Sequence, residues 1–239
     1  MRVWAVVASG ALWGMLCAAA PAVAQSDFIT METSLPVASY ASFALAADSK
    51  SFAPDSAENK GMLDKGFGVP MRVQQVHDRH VQIVSPSTKL LLTAPFGWRG
   101  FDDGKRTRLF TPTGNIGITF QSLPLEGFTD WDDVRGKVWS LARQTAEARA
   151  KKDPRYQARL IRLADGTFGM RETNINEGDA GPYSSVILFW PHPGDPKLAI
   201  RMNLYTPIEE FERYLGLAGL VLRDMQPAME AVPVKPAAK

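Results

Sequence analysis

Cysteine occurs once in this chain, at Cys17, inside an N-terminal stretch that reads as a removable leader. Arg2 is followed by an apolar run from Val3 to Ala20 and then by Ala22-Val23-Ala24 ahead of Gln25. A basic end, a short apolar core and small residues at the cut are the grammar of a secretory signal. Cleavage after Ala24 leaves 215 residues without a thiol, which excludes disulfides, cysteine metal sites and cysteine nucleophiles from the mature chain. Such a chain must hold itself with a hydrophobic core, and about 200 residues suffice for one domain of that kind.

The apolar run is broken by Ser9, Gly10 and Gly14 and falls short of the roughly 20 clean apolar residues of a membrane span. No second run downstream supplies one, so the mature chain is expected to have no transmembrane span. Leu16 stands where lipid attachment to Cys17 would want a small residue, which favours release over anchoring. The expected address is periplasmic or secreted. With 27 basic and 25 acidic side chains, bulk charge draws the protein to neither nucleic acid nor an anionic membrane.

Residues 25–70 are rich in Ala, Ser, Asp and Gly, with aromatics (Phe28, Tyr40, Phe43, Phe52, Phe67) that keep neither helical nor strand period. Two readings stay open: a flexible leader, or an arm that orders on a partner. Residues 71–226 read as one globular domain, and the Pro, Ala and Lys of 227–239 as a disordered tail.

Within the domain, Val73–Val84, Leu90–Ala94, Arg106–Phe110 and Ile116–Ser122 are strand-like, with turns at Asp103-Gly104 and Thr113-Gly114-Asn115. Thr129 is the expected N-cap of a helix whose first turn is acidic and whose last turn, up to Pro154, is basic. Trp131, Val134, Val138, Leu141 and Thr145 mark its packing face. Four strands follow as an antiparallel meander: Tyr156–Leu163 and Thr167–Ile175 around Asp165-Gly166, then Tyr183–Trp190 and Leu198–Tyr205 around Pro191–Pro196. The apolar run Val186–Trp190 lacks alternation, as a strand covered on both faces does. Thr206-Pro207-Ile208-Glu209 reads as a capping box opening a terminal helix. Gly216 and Gly219 inside that helix either allow close packing or break it; close packing is expected.

Strands, an amphipathic helix, a meander and a terminal helix make an α+β chain: an antiparallel sheet with packed helices. The segment Leu92-Thr93-Ala94-Pro95-Phe96-Gly97-Trp98 resembles the opening of the PsbP/Mog1-type family, and the element order over roughly residues 73–226 is similar to it. That resemblance implies an α/β/α sandwich and an accessory or binding role without a shared catalytic site. No functional residue of the family carries over.

The chain has no Gly-x-Ser-x-Gly elbow, HExxH, Walker loop or dinucleotide fingerprint. His77 and His80 would point to opposite faces of a strand, and His192 sits among prolines with no ligand nearby in sequence. Asn174, Asn176, Glu177 and Asp179 lack the acid spacing of a calcium loop and read as a polar turn, and Asp102-Asp103 as a turn rather than an acid/base pair. Neither cofactor nor metal is expected. Trp98, Trp131, Trp139 and Trp190 read as core. The candidate site is Arg171, Arg201 and Tyr205, expected on one sheet face and able to offer cationic and hydrogen-bonding groups to a ligand or peptide, with a salt-bridged structural face as the plainer alternative. The expected function is an envelope accessory or chaperone-like module that binds a protein segment or an apolar ligand. A small-molecule or lipid carrier and an enzyme with an unrecognised site are the alternatives.

Overall fold

The structure is a computed structural model and describes residues 30–45, 69–71, 73–76, 79–176 and 181–228. The signal-like residues 1–24, His77, Glu177 and Asp179 lie outside them, as does the tail beyond Ala228. Strand β1 (Thr30–Glu32) is followed by β2 (Val69–Pro70), β3 (Val73–Val76), β4 (His80–Ser85), β5 (Leu90–Pro95), β6 (Arg99–Asp102), β7 (Thr107–Phe110) and β8 (Gly117–Pro124). Helix α1 (Trp131–Lys152) leads to β9 (Gln157–Arg162), β10 (Phe168–Ile175), β11 (Tyr183–Pro191) and β12 (Leu198–Pro207). Helix α2 (Phe211–Asp224) and the short β13 (Gln226–Pro227) end the described chain.

The strands form a nine-stranded sheet in the order β1-β9-β10-β11-β12-β8-β7-β6-β2 and a four-stranded sheet in the order β13-β5-β4-β3. Among the described residues, the β1–β9 pairing is the parallel one and the others are antiparallel. The expected four-strand meander is present, with the turn closed by Gly166 at a φ of 86°, which a side chain would resist. The α+β class is therefore the observed one.

Strand periodicity decides what covers each face of the large sheet. Val186, Leu188, Ile200, Met202, Leu204, Ile118 and Phe120 point to an inner side, where they join Val81, Ile83, Leu90 and Leu92 of the small sheet and Phe211, Leu215 and Leu217 of α2. On the outer side α1 lies over β9–β11: Val134 and Val138 pack on Phe168 and Phe189, Ala142 and Ala146 on Leu160 and Met170. Strand β11 is thus covered on both faces, which is why its apolar run does not alternate.

Helix α1 begins one residue later than expected. Asp130 is its N-cap, accepting from the Asp133 N–H at 2.8 Å, while the Asp133 carboxylate accepts from Thr129 N–H at 3.2 Å. Its buried stripe is Val134, Val138, Ala142 and Ala146, so Leu141 and Thr145 flank the face instead of forming it. Small residues at 142 and 146 let the helix lie close to the sheet. Two indoles then pin it: Trp131 Nε1 donates to Gly166 O at 2.8 Å and Trp139 Nε1 to Gly169 O at 3.2 Å.

The capping box expected at Thr206–Glu209 does not form. Strand β12 stays paired with β11 through Tyr183↔Pro207, so Thr206 and Pro207 remain extended, and the Thr206 hydroxyl donates to Pro207 O at 2.7 Å. A 3-10 turn, Ile208–Glu210, leads into α2 with no side-chain cap.

The flexible-leader reading of residues 25–70 fails for the part that is described. Strand β1 pairs with β9, and Tyr40 and Phe43, at 7% and 1% exposure, sit in the main core. The leader was hard to read because its contacts are spread over chain far away in sequence. Past α2, Gln226 and Pro227 pair with Leu91 and Leu90, so Pro227, the first residue of the expected tail, belongs to an edge strand.

Candidate functional site

Helix α2 is apolar along its inner side and carries two glycines, Gly216 and Gly219, where the chain from Leu35 to Ala38 crosses it. A Cβ added to Gly216 would come within 2.7 Å of Ala38 Cβ, and one added to Gly219 within 3.5 Å of Leu35 Cβ. The glycines therefore give close packing, as expected, against an extended segment instead of another helix. Beside this crossing lies an open groove of about 620 Å³. It is lined by Leu35–Ala38, by Leu163, by Trp190, Pro191 and Pro193, and by α2 and its C-cap Met225. Asp165 and Arg223 bring opposite charges to it. Arg223 is bound to Asp224, Nε to Oδ1 at 2.7 Å, and this bond is the chief reason the Asp224 carboxyl lies below the usual range.

The proline-flanked loop in the groove lining is tied down through His192. His192, buried, accepts from the Gly194 N–H at Nδ1 (3.0 Å). Its proton is therefore on Nε2, which faces Thr88 O at 2.8 Å and donates to it. His192 is loop scaffold, tying the groove wall to the small sheet.

The opposite end of the leader segment is held by charge. Glu32 Oε1 meets Arg171 Nε at 3.0 Å and an Arg159 nitrogen at 3.2 Å. Arg171 also reaches Glu212 of α2 at 3.3 Å and lies over the Phe211 ring. Further along, Arg213 donates to Ser42 O at 2.7 Å and Trp98 Nε1 to Phe43 O at 3.4 Å.

The structure does not bring Arg171, Arg201 and Tyr205 together. Arg171 stands opposite Val186, which stands opposite Leu204, so it is on the inner face. Arg201 is opposite Phe189 and Tyr205 opposite Ser185, which puts both on the outer face. Burial and then the charge of Arg106 press the Arg201 guanidinium toward a lower pKa. Burial pushes the Tyr205 phenol up to about 12, and its ring covers Gly117, where a Cβ would meet the phenol oxygen at 2.5 Å. Tyr205 fills the space of a missing side chain; Arg171 is the member of the trio that belongs to the groove side.

The other singled-out residues are structural. Asp102 accepts from Ser87 and Thr107 hydroxyls, each at 2.7 Å, and from Gly104 N–H, closing a buried polar cluster with Ser85 and Thr88. Asp103 turns away to Arg108 at 2.8 Å; burial works against its charge, but the Lys105 and Arg106 N–H groups and the Arg108 and Arg106 guanidiniums hold its carboxyl low. His80 lies against the Tyr40 ring, centroids 5.0 Å apart. Asn174, expected in a polar turn, lies within β10 where the pairing with β11 shifts register between Glu172 and Ile175; it takes a φ of 57° and donates to Arg155 O. Trp98 and Trp190 are core residues of the inner side, and Trp131 and Trp139 pack against the outer core. Among the described residues, no group of three His, Asp or Glu side chains is placed to hold a metal, and no helix is long and apolar enough to cross a membrane.

The sequence reading missed Glu32, Leu35 and Ala38. The signal that pointed toward them was the Gly216/Gly219 pair, which required a close neighbour without saying which one.

No family model and no curated protein matches the chain by sequence. Among solved structures the fold is similar to the Saccharomyces cerevisiae Ran-binding protein Mog1p, with a TM-score of 0.44 and 7% identity over 62% of this chain and 95% of that one. It is also similar to cyanobacterial PsbP (CyanoP) from Synechocystis sp. PCC 6803, with a TM-score of 0.43 and 13% identity over 64% of this chain and 95% of that one. These two carry the names of the family that the Leu92–Trp98 segment resembles.

Proposed function

We propose that this chain is an exported, non-enzymatic accessory module of the cell envelope that receives an extended apolar segment of a partner protein in the groove beside α2. The observation that carries the reading is the groove itself: about 620 Å³, partly open to solvent and lined mainly by apolar side chains, with Asp165 and Arg223 among them. An open trough suits a chain segment better than a small molecule, which is usually enclosed over most of its surface. Export rests on the signal grammar of residues 1–24.

A photo-reactive amino acid at Leu222, in the groove lining, tests the site in the source cells. The expected result is a cross-link to one discrete protein that disappears with Pro191→Glu, also in the lining, together with an N-terminus at Gln25 in the mature protein. A lipid or metabolite cross-linked in place of protein would turn the reading to carriage. Retention of residues 1–24 in the cytoplasm would remove the envelope.

A further inference from the structure

We propose that residues 32–38 are an internal occupant of a peptide slot that runs from the edge of β9 across α2 into the groove, and that a partner segment of the same pattern displaces them. The inference rests on the groove reading above and adds what the slot selects.

The segment touches the domain at fixed intervals. Glu32, Leu35 and Ala38 are half-buried, while Thr33, Ser34, Pro36 and Val37 are exposed, Val37 at 99%. Three residues per repeat is the period of a polyproline II strand, which Pro36 favours and which makes no hydrogen bonds of its own. Each contact has a distinct chemistry. Glu32 enters a cationic fork made by Arg159 and Arg171. Leu35 lies over Gly219, and Ala38 fills a notch at Gly216 that leaves no room for a side chain at 216. The slot therefore reads an acid, a bulky aliphatic residue three positions on, and a small residue three further on.

Its hold on residues 30–38 is light. Three residues pair with β9 and the Glu32–Arg159 pair is open to water on the arginine side, which leaves the Glu32–Arg171 pair, with side chains 16% and 13% exposed, as the firmest contact. Tyr40 and Phe43, by contrast, are buried in the core. The described segment is thus anchored in the core at its Tyr40 end, the geometry of a strap that can lift about that end without unfolding the domain. Lifting it uncovers the β9 edge, the arginine fork and the glycine notch, and widens the groove beside Leu163. An incoming segment then pairs with β9 by strand addition.

The test uses the full chain and a labelled peptide of the strap sequence, Thr30 to Ser39. The double variant Glu32→Ala, Leu35→Ser loosens the strap and leaves the slot intact. It is expected to bind the peptide at least about tenfold more tightly than the wild-type chain, because the competing occupant is gone. A peptide with the same two replacements should not bind, and Arg159→Glu should lose the peptide and regain it when the peptide glutamate becomes arginine. Melting curves that remain cooperative show that each variant is folded. Equal affinity for both chains, or binding indifferent to the peptide pattern, overturns the proposal. The Leu222 cross-link is read separately: its survival alongside peptide failure sinks the strap and leaves the groove reading standing.

Discussion

The two ends of α1 and the first described residues of the chain are attached to the same sheet in opposite ways. Helix α1 is fixed by two indole hydrogen bonds to the sheet backbone and by Glu172, which at 2% exposure binds the Tyr156 hydroxyl at 2.6 Å and the Arg149 guanidinium. Residues 30–38 are fixed by a three-residue pairing, by Glu32 ion pairs to Arg159 (47% exposed) and Arg171 (13% exposed), and by contact with two glycines. Buried bonds are expensive to break because each broken partner stays dry, whereas exposed ones exchange for water. The first attachment holds a permanent layer of the fold; the second has the strength of a contact that another chain can replace.

The sharpest way to break this comparison is at the boundary inside the leader. Phe43, 1% exposed, should mark where the strap ends and the core begins. Phe43→Ala is expected to cost about 4 kcal/mol in urea unfolding, as a buried aromatic truncation does. A loss under about 0.5 kcal/mol would mean that the whole leader is a detachable tether and that the domain starts near residue 69.

The clamp under α1 comes next. Glu172→Ala strands the Tyr156 hydroxyl and leaves the Arg149 charge partly buried, and should cost about 3 kcal/mol. Tyr156→Phe, which removes only one hydroxyl from the cluster, should cost about 1 kcal/mol. The pair of variants separates a clamp that matters from helix packing that would hold without it.

The same clamp sets an alkaline limit. Burial first, and then the Glu172 charge and hydrogen bond, push the Tyr156 phenol above its ordinary value. In the unfolded chain the phenol ionises near pH 10, so its contribution to stability is fully present below about pH 10 and falls as pH rises beyond it. Urea midpoints measured from pH 8 to 11 should decline above about pH 10, and Tyr156→Phe should shallow that decline. An unchanged slope would move the alkaline sensitivity to Tyr40 or Tyr205, both also raised by burial.

Much of the α1 side was legible in the sequence and most of the strap was not, for one physical reason. The meander, the Asp165-Gly166 turn and the helix are set by neighbours a few residues apart, and their periods of 2.0 and 3.6 survive in the sequence. The contacts at 32, 35 and 38 keep a period of three against surfaces more than 120 residues away, so nothing local marks them. Register hid the candidate site in the same way. Arg171 and Arg201 look alike along their own strands, and only the pairings with Val186 and Phe189 reveal that they face opposite sides of the sheet. Thr206-Pro207 carried a helix-start signal that lost to strand pairing with Ser184 and Tyr183.

The smallest effect discriminates best. Glu32→Ala removes the ion pairs to Arg159 and Arg171 and should cost only about 0.5–1 kcal/mol of global stability, within the range of partly exposed pairs. Its local consequence should be far larger than that figure suggests. Backbone amides on the β9 edge from Arg159 to Ile161 that face β1 are expected to exchange with solvent much faster, while those pairing β9 with β10 stay protected, because the strap opens as a unit separate from the sheet. Uniform acceleration across β9 and β10 would mean that strap and sheet open together, and the difference between the two attachments would then be one of degree. Selective acceleration at the edge would fix the hinge between Glu32 and Tyr40, where the side chains pass from half-buried contacts to the core.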